Sequence, residues 1–177
     1  MRLFIPLANG FEDIEAITVV DVMRRAGIAI DIVGVPSTFL TSESGVRLTA
    51  DKKFTDINPD DYDGIILAGG ERNVNALINY MPLLAAIEKF NRKKKLLAAI
   101  CAAPTILAKI GVLQDRKATV YPGLEKSIPY PRGDKVVVDG KIITSQGPGT
   151  AIEFALSIVE ALVGKGKAAA IRNSLVA

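Results

Sequence analysis

Within its first 33 residues the chain carries an apolar strand, an amphipathic helix and a second apolar strand, an order that leaves few folds open. Leu3 to Leu7 reads as a buried strand. Asp13 to Ala26 follows with Ile14, Ile17, Val20 and Val22 near helical spacing before Gly27 stops it, and Ile28 to Val33 is again apolar. Two strands joined through a helix over about 30 residues predict a right-handed crossover and a parallel sheet.

The alternation continues. Ile65 to Ala68 reads as a strand ended by Gly69-Gly70, Pro82 to Asn91 as a helix, and Leu96 to Ile100 as a further strand. Two segments break the rhythm. The Ser, Thr, Gly and Val between Thr38 and Phe54 suit a short extended hairpin, and Val136 to Thr144 reads as a hairpin with Asp139-Gly140 at its tip. Ala151 to Val163 is expected as a long helix, entered through Pro148, Gly149 and Thr150, where proline and a capping hydroxyl belong. A last helix is expected over Lys167 to Asn173. The inferred architecture is one parallel-rich sheet sandwiched by helices.

At 177 residues, with no internal repeat and no linker-like composition, the chain suits a single domain spanning 1–177. Apolar residues at 49% and charged residues at 23% exclude extended disorder. A net charge of +3 does not point to nucleic acid, because the one basic run, Arg92 to Lys95, ends a helix whose dipole it complements. The lone cysteine permits no intrachain disulfide, and the apolar start is too short and too soon acidic for a signal peptide. No apolar run approaches the roughly 20 residues of a membrane span. A cytoplasmic protein without membrane or specific nucleic-acid partners is expected.

In open α/β sheets ligands bind beyond the carboxyl ends of the strands, at a switch in strand order. Three features fall on that edge: Asn9 to Glu15, Gly69-Gly70-Glu71, and Cys101. Cys101 sits where the Leu96 to Ile100 run flows into Ala102-Ala103-Pro104 without a loop, a sharp strand-to-helix turn that presents the thiol at the sheet edge. The dipole of the following helix is expected to favour thiolate. Cysteine count alone favours a small core hydrophobe, and the turn position reverses that balance toward a reactive thiol.

The chain has no histidine, so no Cys-His or Ser-His-Asp device can form, even between copies. Another proton carrier is needed. Glu12 and Asp13 read as first-turn charges of the helix, whereas Glu15, between Ile14 and Ala16, is positioned to point back toward Cys101. Buried beside a thiolate, its carboxyl would have a raised pKa and could move the proton. Gly69-Gly70 is either a plain turn or part of an oxyanion site in which the N–H groups of Gly70 and Ala102 face an oxygen gaining charge. No Lys-Ser or Lys-Thr follows the glycines, as a phosphate loop requires, and no dinucleotide fingerprint is present.

These residues resemble the ThiJ/PfpI superfamily, in the branch of the Parkinson-disease protein deglycase and bacterial YajL. The carriers are Ala8 to Glu15, Asp21 to Ile28, Ala68-Gly69-Gly70, Ala98 to Pro104 and Thr144 to Thr150, which together span nearly the whole chain. The resemblance implies a flavodoxin-like three-layer α/β/α sandwich, akin to class I glutamine amidotransferases, and a homodimer. It further implies a nucleophilic Cys101, a protonated Glu15 beside it, backbone donors at Gly70 and Ala102, and a Gln146 to Thr150 segment near the site, with Gly69, Pro148 and Tyr121 as accessory positions. The chain departs from the family at two places. Tyr121-Pro122 stands where deglycase-type members often carry a histidine, and Ala102 stands where protease-like members carry one, so peptidase chemistry is not expected.

Two functions are compatible with this set. One is a glyoxalase III- or deglycase-like enzyme, free of metal and cofactor, acting on methylglyoxal-type α-oxoaldehydes or on the adducts they form with macromolecules. The other is a redox-responsive stress protein or chaperone whose cysteine oxidises to sulfinate.

Overall fold

Strand β1 (Arg2–Leu7) sends Leu3, Ile5 and Leu7 into one apolar layer and Phe4 into the other, as the period of two requires. All residues from Met1 to Ala177 are described by the computed structural model. Helix α1 (Asp13–Arg25) opens on Glu12, whose carboxylate accepts from the Ile14 N–H, and ends at Ala26 before Gly27 at φ +76°. Strand β2 (Ala29–Gly34) returns parallel to β1. β3 (Phe39–Thr41) and β4 (Arg47–Thr49) form the expected small antiparallel hairpin, but β5 (Lys52–Lys53) leaves it and joins the main sheet beside β2.

Next come β6 (Gly64–Leu67), α2 (Glu71–Leu77), α3 (Met81–Arg92), β7 (Leu96–Ile100) and α4 (Pro104–Lys109). The chain closes with β8 (Val136–Asp139), β9 (Ile142–Ser145), α5 (Ala151–Val163) and α6 (Lys165–Leu175). Sequence periodicity had no signal for α2, whose buried face is Asn73, Val74 and Leu77. The β8–β9 hairpin forms, yet Asp139 pairs with Ile142, so its two tip residues are Gly140 and Lys141, with Gly140 at φ +64°. A left-handed first tip position is what glycine supplies. The Thr150 hydroxyl does not cap α5; it bonds instead to the Gly147 carbonyl and to Ser145.

The seven-stranded sheet runs β5-β2-β1-β6-β7-β9-β8, parallel except for β8. Helices α1, α5 and α6 cover one face, with 29 buried residues, and α2, α3 and α4 cover the other, with 26, so neither face is left to solvent. This is the flavodoxin-like sandwich expected. The chain leaves β1 first toward β2 and later returns to its other side as β6. The switch point therefore lies between β1 and β6, and the crevice beyond their carboxyl ends is where a ligand site belongs. No helix is long and apolar enough to cross a membrane.

Candidate active site

Cys101 leaves the end of β7 with φ +65°, a left-handed conformation that a non-glycine residue adopts only when its surroundings hold it there. Two backbone bonds do so: the Cys101 N–H donates to the Ser145 carbonyl at 3.0 Å, and the Cys101 carbonyl accepts from the Tyr121 N–H at 2.8 Å. Ala102 and Ala103 complete the turn before Pro104 starts α4, a first-turn position where a missing N–H has no consequence. The thiol is half-buried.

Glu15, in the first turn of α1, is fully buried. Its Oε2 accepts from the Gly69 N–H at 2.7 Å, its Oε1 has no partner of good hydrogen-bond geometry, and the Cys101 thiol lies within its reach. The N–H groups of Ala102 and Gly70 face the sulfur. Gly70, at φ +90°, has the Gly10 carbonyl oxygen 2.0 Å from where a Cβ would stand, so no side chain fits there. The four residues Cys101, Glu15, Gly70 and Ala102 thus converge as the sequence suggested.

Cys101, Gly70 and Ala102 line a cleft of about 820 Å³ together with Tyr121 and Pro148, while Glu15 and Gly69 lie buried beneath it. The Tyr121 ring is half-exposed on the cleft wall. Sequence reasoning missed Glu43, Val74 and Thr105 on the same walls, and Asn73 behind them. Glu43 arrives from the hairpin and the other three from helices whose approach depends on strand order, which no local pattern encodes. No group of three or more Cys, Asp or Glu side chains is arranged to hold a metal ion.

Burial pushes the Glu15 carboxyl up to about 7, against the Gly69 N–H that lowers it. Burial, and after it the adjacent Glu15 charge, pushes the Cys101 thiol up to about 12, opposed by the N–H groups of Ala102 and Gly70. The expectation of a thiol depressed by a helix dipole is therefore corrected. Helix α4 has only six residues, and desolvation beside a carboxylate outweighs its partial charges. Burial thus makes both groups hold their protons more tightly than when exposed, and their proximity couples the two ionisations. Chemically, the arrangement is a buried carboxylate ready to take a thiol proton as sulfur bonds to carbon, with two backbone donors facing the reacting centre.

The profile of the DJ-1/PfpI family matches residues 1–161. The chain is 37% identical over 174 residues to protein dj-1beta of Drosophila melanogaster, covering 96% of this chain and 93% of that one. It is also 37% identical over 180 residues to protein DJ-1 homolog B of Arabidopsis thaliana, where it covers 99% of itself but spans only 41% of the plant protein's length. The solved structure of oxidized Toxoplasma gondii DJ-1 superposes with a TM-score of 0.96 at 34% identity, over 99% of this chain and 97% of that one. On a match that runs from β1 into α5, the chain belongs to the DJ-1/PfpI family.

Proposed function

We propose that this protein is a cysteine-dependent glyoxalase- or deglycase-like enzyme that converts methylglyoxal-type α-oxoaldehydes, free or attached to macromolecules, to hydroxy acids. The observation that carries the reading is the fully buried Glu15 carboxyl within reach of the half-buried thiol. Sγ adds to the aldehyde carbon as Glu15 takes the thiol proton and passes it to the carbonyl oxygen, giving a hemithioacetal. The Gly70 and Ala102 N–H groups stabilise the oxygen while it carries charge. Glu15 then removes the proton from the first carbon and returns it to the second, through an enediol in which the hydroxyl proton passes from the first oxygen to the second, leaving a thioester. Water cleaves the thioester, releasing the hydroxy acid and restoring the thiol. Aldehyde and ketone exchange oxidation states within one substrate, so the sequence needs no external oxidant, metal or cofactor.

The cleft leaves Tyr121 and Pro148 as walls that touch substrate, and a homodimer in the cytoplasm is the assembly and place that this reading adopts from the family. The test is lactate formation from methylglyoxal by purified protein. Turnover above Cys101→Ala and Glu15→Gln controls is expected; equal rates for all three overturn the reading. Without a histidine to share the proton work, turnover is expected to be slow.

A second reading is favoured by one observation, the buried Oε1 of Glu15 without a good partner beside an accessible sulfur. In a redox-responsive stress protein or chaperone, hydrogen peroxide adds an oxygen to sulfur at each step with release of water, and the protonated Glu15 donates to the resulting sulfinate, halting oxidation there. Mass spectrometry after mild peroxide should find two oxygens gained on Cys101, and fewer on Glu15→Gln; an inert thiol removes this reading.

A further inference from the structure

Asn73, in α2, is buried without any exposed surface, and both its amide donors and its amide oxygen bond to backbone. Its Nδ2 donates to the Ala68 carbonyl at 2.9 Å and to the Gly69 carbonyl at 3.0 Å, while its Oδ1 accepts from the Ala8 N–H at 2.8 Å. Ala8 follows β1 and Ala68 follows β6, so one side chain ties the carboxyl ends of the two strands that flank the switch point.

Peptide planarity gives these bonds their consequence. The Ala68 carbonyl and the Gly69 N–H belong to one rigid peptide group, and the Gly69 carbonyl and the Gly70 N–H belong to the next. Asn73 grips the oxygen end of both. At the opposite ends, the Gly69 N–H donates to Glu15 Oε2 at 2.7 Å and the Gly70 N–H faces the Cys101 sulfur. We propose that Asn73 is a positioning residue that aims both backbone donors, one at the carboxyl and one at the sulfur, through the two peptide planes it holds.

An external hold is needed because the sequence there is Gly69-Gly70, and glycine lets a peptide plane rotate at little steric cost. The Glu12 N–H adds a longer bond of 3.2 Å to the Gly69 carbonyl, but nothing else in the hydrogen-bond network grips the Ala68–Gly69 plane from its oxygen end. Donation to a carbonyl also polarises the N–H across the same amide, strengthening its bond to an anion. Asn73 touches neither sulfur nor substrate.

This inference rests on the reading of Cys101 and Glu15 as the reactive pair, but its test does not need turnover. The measurement is the rate of Cys101 alkylation by iodoacetamide against pH in the wild type, Asn73→Ala, Asn73→Ser and Leu77→Ala. Leu77 is a fully buried residue of the same helix that bonds to neither peptide plane, so its truncation reports loss of α2 packing alone. Asn73→Ala is expected to move the alkylation profile to higher pH and to slow the reaction at pH 7.5 about tenfold, the effect of misdirecting one hydrogen bond to a charged group. Asn73→Ser, which retains a single donor, should fall between, and Leu77→Ala should lower the melting temperature with the profile unmoved. A wild-type profile in Asn73→Ala, or an equal shift in Leu77→Ala, overturns the proposal.

A second readout keeps the proposal open to refutation should the Asn73 variants not fold. In the wild type, the side-chain amide resonances of Asn73 should titrate with the same midpoint as Cys101 alkylation; flat resonances overturn it. Absence of lactate formation with these shifts intact would remove the enzymatic reading and leave the positioning role standing.

Discussion

Glu15 and Cys101 meet over the α-carbon of Gly69: a Cβ placed there would stand 2.7 Å from Glu15 Oε2 and 2.9 Å from Cys101 Sγ. The same Cβ would lie 2.6 Å from the cysteine's own Cβ. The approach of carboxyl and thiol therefore depends on one missing methyl group.

Gly69→Ala should separate the pair. Added volume in a packed site typically costs about 1–3 kcal/mol of stability, and here the atoms that must move are the reacting ones. Iodoacetamide labelling of Cys101 should slow and any methylglyoxal turnover should fall to the level of Glu15→Gln, while circular dichroism retains the α/β signature. Unchanged labelling would mean that the pair tolerates a wider gap.

The raised pKa of Glu15 fixes two pH profiles of opposite slope. Activity should rise with pH through about 7, because only the ionised carboxyl accepts the thiol proton, and Glu15→Gln should lack this limb. Stability should run the other way. The folded chain keeps the Glu15 proton to about pH 7, whereas the unfolded chain releases it near 4.5, so the native state binds more protons across that window and loses stability as pH rises. The full effect is on the order of 3 kcal/mol. Urea titrations should find Glu15→Gln more stable than the wild type at pH 8 and nearly equal to it at pH 4.

The legible parts of this molecule were local. The first strand–helix–strand unit, the β8–β9 hairpin and the turn at Cys101 follow from residues adjacent in the chain, and Glu15 stood out as an acid between two apolar neighbours at a helix start. Helix α2 escaped because its buried face includes Asn73, a polar residue that periodicity assigns to solvent. The partner of Asn73 at Ala8, 65 residues away in the chain, becomes its neighbour only when β6 pairs with β1. The thiol's proton affinity was misread for a related reason. A helix dipole can be inferred from neighbouring residues, but burial beside Glu15 is a property of the assembled sheet edge.

Away from the site, Asp31 on β2 separates stability from reactivity. Its Oδ2 accepts from the Tyr62 hydroxyl at 2.6 Å and from Lys52 Nζ at 3.1 Å, and pairs with Arg2 at 2.7 Å. Burial alone would raise this carboxyl, but Tyr62, Lys52 and Arg2 outweigh burial and hold it below the ordinary value of 3.8. The group therefore stabilises the fold above about pH 4, and that contribution disappears as pH falls through its folded pKa. Asp31→Asn should lose about 1–3 kcal/mol at pH 7, with the deficit shrinking as pH falls through the lowered carboxyl pKa and the Cys101 alkylation profile unchanged. A shifted profile would mean that the two ends of the sheet are coupled.

Tyr121 offers the sharpest division between backbone and side chain. Its N–H, donated to the Cys101 carbonyl at 2.8 Å, helps hold the strained turn, and Tyr121→Phe leaves that bond in place. Its half-exposed ring lines the cleft, with Cδ2 3.3 Å from where a Cβ on Gly147 would stand, and its hydroxyl bonds to no other side chain. Removing the hydroxyl should thus leave the pH profile of Cys101 alkylation untouched and should raise KM for an α-oxoaldehyde by no more than a few fold. Were kcat instead to fall a hundredfold, within the range contributed by a general acid or base, the hydroxyl would be a proton carrier, and Glu15 would share that task with it.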